Sequence, residues 1–179
     1  MRRKHILFII LAVCMLTGCQ NTLKAGTRQL EEGTYEEAAD SFREAAKENE
    51  NAAEAYRGLG MALYEQEEYK GALDAFENAV DSGARETPQM YNLMGISSMK
   101  TEDFAGALEY FAAGIALADA RSDEETIDGG LLQEMRYNEI VCCEKSADWD
   151  TAKEKMEQYL ADYPNDEEAK REAEFLSTR

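Results

Sequence analysis

One histidine, one tryptophan and two prolines occur in 179 residues, and 19 basic residues face 37 acidic ones, for a net charge of −18. The histidine is His5, at the edge of an apolar leader, so the chain beyond the leader has no imidazole for acid–base work or metal ligation. Lysine and arginine are too few to displace counterions from a polyanion, which argues against nucleic acid as a partner. Two readings of the acidity remain open: a solvated surface, or a field that attracts a basic partner. Of four cysteines, Cys14 lies in the leader and Cys19 at its end, leaving Cys142 and Cys143. Adjacent Cα atoms lie about 3.8 Å apart, short of the usual disulfide range, so these two are expected as small apolar residues inside a helix. No segment places a carboxylate pair in an evident apolar pocket, so no catalytic residue, metal site or cofactor is expected.

The apolar run Ile6 to Leu16 follows Met1-Arg2-Arg3-Lys4. At 1.5 Å rise per residue it falls short of the roughly 18 residues needed to cross a bilayer and reads as a secretory signal, residues 1–18. Leu16-Thr17-Gly18-Cys19 resembles the bacterial lipobox, which implies diacylglycerol on Cys19 and cleavage just before it. Two acyl chains give stable anchoring where one does not. The expected location is the extracytoplasmic side of the cell membrane, and Gln20 after the cysteine permits outer-membrane sorting in a two-membrane cell. Loss of Arg2, Arg3 and Lys4 leaves a charge of −21. Residues 19–24 form a short tether; the four residues from Cys19 to Leu23 reach at most about 14 Å. Lys24 and Arg28 precede the first acidic residues at Glu31, so the first helix is expected near lipid headgroups.

An internal repeat organises residues 25–163. Tyr35, Tyr69, Phe104 and Trp149 recur at intervals of 34, 35 and 45, and so do Ala38, Ala72, Ala107, Ala152 and Phe42, Phe76, Phe111, Met156. An aromatic, a small residue three later and a large apolar residue four after that share one helical face. Gly26, Gly60 and Gly95, each nine residues before the aromatic, mark a preceding helix in which a missing Cβ permits close approach.

This order resembles the tetratricopeptide repeat. Tyr56-Arg57-Gly58-Leu59-Gly60-Met61-Ala62-Leu63 matches its helix A, and Tyr69-Lys70-Gly71-Ala72-Leu73-Asp74-Ala75-Phe76-Glu77-Asn78-Ala79 its helix B. The third unit starts at Pro88 with Thr87 as N-cap. The first has Thr22 and Ala25 where bulky residues are usual, and the fourth carries Ile140 or Val141 in place of glycine, although Tyr163-Pro164-Asn165 matches the family's turn. Residues 164–179 read as a capping helix with Asn165 or Asp166 as N-cap. An insertion near 119–130, ending in Gly129-Gly130, is expected as a loop or an extension of helix B closed by the glycines. It does not fit an EF-hand, because Met135 falls where the bidentate glutamate belongs.

The resemblance implies an all-α, right-handed superhelix of stacked antiparallel helix pairs, with a concave face that binds polypeptide. The residues that the family pattern turns inward are Arg57, Met61, Tyr64, Asn92, Ile96, Met99, Tyr137 and Val141. The basic and asparagine pattern with which some relatives clamp a carboxylate is absent, since its positions hold Leu23, Thr27, Gly58 and Leu93. The expected role is a non-enzymatic, membrane-anchored adaptor for a protein or peptide partner. The alternatives are an assembly or scaffold lipoprotein of an outer-membrane or pilus complex, and an accessory subunit of an envelope hydrolase.

Overall fold

The computed structural model describes residues 22–48, 51–121 and 129–179, so the signal segment, Cys19, Gln20 and most of the acidic insertion lie outside the described residues. Among the described residues every regular element is helical, and no helix is long and apolar enough to cross a membrane. The helices group into two compact units, one ending at Arg85 and one running from Glu86 to Arg179. The first contains α1 (22–31), α2 (Tyr35–Lys47), α3 (Ala52–Glu65) and α4 (Tyr69–Asp81). The second contains α5 (Pro88–Lys100), α6 (Phe104–Arg121), α7 (Gly129–Lys145), α8 (Trp149–Asp162) and α9 (Glu167–Leu176).

One turn joins the two helices of every repeat. Two residues before each repeat aromatic the backbone is left-handed: Gly33 (φ 76°), Glu67 (61°), Glu102 (64°) and Ala147 (57°). The following amide reaches back to close the helix, as in Glu68 N–H to Leu63 O (2.9 Å), Asp103 N–H to Ser98 O (2.9 Å) and Asp148 N–H to Cys143 O (2.9 Å). This is the helix-ending geometry that glycine adopts without Cβ strain, yet only the first repeat has glycine there. Thr87 caps α5, its hydroxyl accepting from Met90 N–H at 3.2 Å, with Pro88 at the first helical position. Asp166 rather than Asn165 caps α9, accepting from Glu168 and Ala169 N–H.

The glycine pattern has a specific cause. A Cβ on Gly26, Gly60 or Gly95 would lie within 2.9 Å of the ring of Phe42, Phe76 or Phe111, the large residue of its own repeat. Gly58, at the start of the next helix pair, presses on the other side of Phe42, where a Cβ would approach to 2.4 Å. Each ring thus lies directly on backbone, and Ala38, Ala72 and Ala107 are buried beside it. In the fourth repeat the exchange runs the other way: Ile140 stands at the glycine position, Met156 replaces the phenylalanine, and both are buried in one cluster with Cys143, Ala152, Tyr159, Ala169 and Leu176. A side chain added on one helix is matched by a slimmer, flexible one on the other, which keeps the volume. Cys142 and Cys143 are buried free thiols, and burial pushes the Cys142 thiol up to about 12.

The insertion corrects one expectation. Helix α6 runs 18 residues against 13 in α4, so helix B is extended, but Gly129 and Gly130 do not close it. They open α7 instead. Glycine is tolerated at a helix start, where the first amides lack intrahelical partners whatever the residue.

Candidate functional site

Successive first helices of the repeats leave grooves between them, and two such grooves have distinct chemistry. In the first unit, α1 and α3 enclose about 340 Å³ lined by Leu23, Thr27, Leu30, Glu31, Phe42, Glu54, Arg57, Gly58 and Met61. Its floor exists because Gly58 has no side chain: the Phe42 ring from α2 shows through between the two helices. Leu23, Leu30 and Met61 supply apolar contact. Arg57 is exposed, and its Nε donates to Glu54 Oε2 at 3.1 Å. An exposed pair of this kind holds its partners weakly, so the guanidinium can exchange Glu54 for another carboxylate or a carbonyl oxygen.

In the second unit, α7 and α9 flank about 310 Å³ lined by Gly130, Gln133, Glu134, Tyr137, Tyr159, Asp166 and Glu168. Tyr137 and Tyr159 meet edge to face with centroids 5.5 Å apart. The Tyr159 hydroxyl donates to Asp166 Oδ2 at 2.7 Å and accepts from Gln133 Nε2 at 2.8 Å. Burial and the hydrogen bond to Asp166 push the Tyr159 phenol up to about 12, while the amides of Ala169 and Glu168, with Tyr159, hold the Asp166 carboxyl below its usual range. The Tyr137 phenol is raised by burial and by the carboxylates of Glu172, Glu168, Glu144 and Asp166. Glu144 Oε1 is buried without a donor, and the group beside it is another carboxyl, Glu172 of α9. The hydrogen bond between them requires a proton, and burial with this neighbour pushes Glu144 up to about 7.

The eight residues expected to turn inward are distributed as follows. Arg57 and Met61 meet in the α1/α3 groove. Tyr64, half-buried, packs edge to face on Tyr69 at 5.7 Å. Asn92 is 5% exposed and its Oδ1 accepts no hydrogen bond, so it is withdrawn from the open surface. Ile96 and Met99 lie against the buried cluster of Ala107, Phe111, Met135 and Cys142. Tyr137 packs on the cluster that α9 completes, and Val141 is half-buried beside buried Ile140. Sequence reasoning passed over Leu30, Glu31, Gln133, Glu134 and Glu168. A signal for Glu134 was present, because it stands three residues before Tyr137 as Glu54 stands three before Arg57. Among the described residues no cluster of His, Cys, Asp and Glu is arranged to hold a metal ion.

The repeat class follows from these contacts and from comparison. Residues 23–91 match the tetratricopeptide-repeat family model. Solved structures extend the likeness along the chain. YrrB, described as a tetratricopeptide-repeat protein with an unusual peptide-binding site, is 22% identical with TM-score 0.71, over 88% of this chain and 75% of its own. MamA from Desulfovibrio magneticus RS-1 is 19% identical with TM-score 0.71, over 90% and 85%. A further MamA structure is 14% identical with TM-score 0.72, over 89% and 80%. The chain therefore has the tetratricopeptide-repeat fold. No curated protein sequence matches it.

Proposed function

We propose that this protein is a lipid-anchored, extracytoplasmic adaptor without enzymatic activity, which binds polypeptide segments along the first helices of its repeats. The carrying observation is the α1/α3 groove, where apolar walls, the buried Phe42 ring beneath them and an exposed guanidinium lie together. A segment laid there would bury an apolar side chain against Phe42 and Met61 and place a carboxylate or carbonyl on Arg57. Met61 fits side chains of different shape, which favours several sequences over one. The described peptide-binding site of YrrB supports the same use of the fold. The anchor rests on Arg2 to Cys19, whose n-region, apolar run and lipobox agree in order and spacing.

The test is photo-crosslinking in living cells from an unnatural residue at Met61, followed by identification of the crosslinked protein. Capture is expected at Met61 and lost on Thr27→Trp, which fills the groove from an exposed lining position. Equal capture from an outward position such as Glu77 would sink the reading.

A further inference from the structure

Helix α7 carries a groove on each side, and the two treat charge differently. Between α6, α7 and α8 every cation is matched: Lys155 Nζ lies 3.0 Å from Glu139 Oε2, and Arg136 pairs with Asp162 and Asp119. Among the described residues the α7/α9 groove has no cation in its lining. Glu134 and Glu168 reach it from opposite walls, and among the described residues neither carries an ion pair. Asp166, by contrast, is committed to capping α9 and to Tyr159. Tyr137, half-buried, lines the same groove and rests edge to face on the buried Tyr159. A groove with the half-buried Tyr137 ring on one wall and exposed carboxylates on both suits a cation on an apolar stem: the stem packs on Tyr137, and the charge is attracted by the ring quadrupole and the carboxylates together. An overall charge of −18 draws cationic segments toward the surface before contact.

We propose that the α7/α9 groove receives a lysine or arginine side chain of the bound polypeptide, packed on Tyr137 and paired with Glu134 and Glu168. The partner is thereby a basic segment. This rests on the reading that the protein binds polypeptide, and it specifies the chemistry of one position in that segment.

The test uses the full mature chain and an array of synthetic peptides of about 12 residues in which a single lysine is kept, replaced by glutamine, or replaced by glutamate. Binding is read by fluorescence anisotropy at low and high salt. Lysine peptides are expected to bind roughly tenfold more tightly than their glutamine forms, and more weakly as salt rises. The isosteric double variant Glu134→Gln/Glu168→Gln should erase that preference, chiefly by weakening the lysine peptides. Tyr137→Leu should lower it by a smaller factor, and circular dichroism confirms that both variants fold. Equal binding of lysine and glutamine peptides, or an unaltered preference in the double variant, would overturn the proposal. If peptides bind without regard to lysine yet lose affinity on Thr27→Trp, the cation site fails and the adaptor reading stands; if no peptide binds at all, both fail.

Discussion

Alanine at Gly60 would put a Cβ 2.6, 2.7 and 2.9 Å from Cδ1, Cε1 and Cγ of Phe76, where ordinary contact begins near 3.4 Å. Two terms oppose each other. Alanine favours a helix over glycine by about 1 kcal/mol, whereas forcing extra volume into a packed core costs about 1–3 kcal/mol. Phe76 is fully buried and the clash is with a rigid ring, so the upper part of that range applies and a net loss of about 1–2 kcal/mol is expected. Gly71 supplies the control: its Cβ would meet one flexible methyl, Leu63 Cδ1, at 3.3 Å, so propensity should win and Gly71→Ala should not destabilise. Because repeats depend on near neighbours, the loss should concentrate in amide hydrogen exchange of α3 and α4 as well as lower the urea midpoint. Phe76→Leu should couple favourably with Gly60→Ala by about 1 kcal/mol, following the exchange that Ile140 and Met156 already make in the fourth repeat. A Gly60→Ala variant more stable than the parent, or a pair whose effects simply add, would refute the argument from ring contact.

The Glu144–Glu172 pair gives a pH dependence of defined sign. The folded chain keeps a proton on Glu144 up to about pH 7, above the 4.5 of a free glutamate, so the pair is harmless below about pH 4.5 and costs stability progressively up to about pH 7. Screening limits the cost to about 1–2 kcal/mol, and the difference in urea midpoint between parent and Glu144→Gln should widen over that interval; a constant difference would contradict it. Asp166→Ala removes the cap of α9 and the acceptor of the Tyr159 hydroxyl, and should cost about 1–2 kcal/mol with faster exchange confined to α9. Glu102→Gly relieves a left-handed backbone and should raise stability by about 0.5–1 kcal/mol, whereas a loss would show that the turn is unstrained. Cys142 should resist thiol reagents until the chain unfolds, and early modification of the native protein would contradict its burial. The proposed anchor predicts that Cys19→Ser abolishes incorporation of a palmitate analogue and releases the protein from membranes, and unchanged membrane association would refute it.

The sequence alone carried the repeat. Spacing of Tyr35, Tyr69, Phe104 and Trp149 located four second helices, which begin at those residues, because an amphipathic helix must present its apolar positions at a fixed angular step. Thr87-Pro88 was legible, and the α9 cap was narrowed to Asn165 or Asp166, for a similar reason: a cap acts on amides two or three residues away, so its effect is local. The left-handed turns at Glu67, Glu102 and Ala147 were not legible, since these residue types carry no turn signal and the conformation is imposed by the docking of two helices.

Tertiary structure alone decided which inward-turned residues are accessible. Arg57 and Asn92 hold the same place in successive repeats, yet one is exposed at a groove and the other is buried, because exposure depends on what the neighbouring helix brings up against the position. Likewise the period marked Gly26, Gly60 and Gly95 as small, but only packing identified the phenylalanine that each one faces. The charge of the α7/α9 groove was hidden for the same physical reason. Composition announced an excess of carboxylates, and it took the fold to pair those around Arg136 and Lys155 and to bring Glu134 and Glu168 into the lining of one groove beside Tyr137.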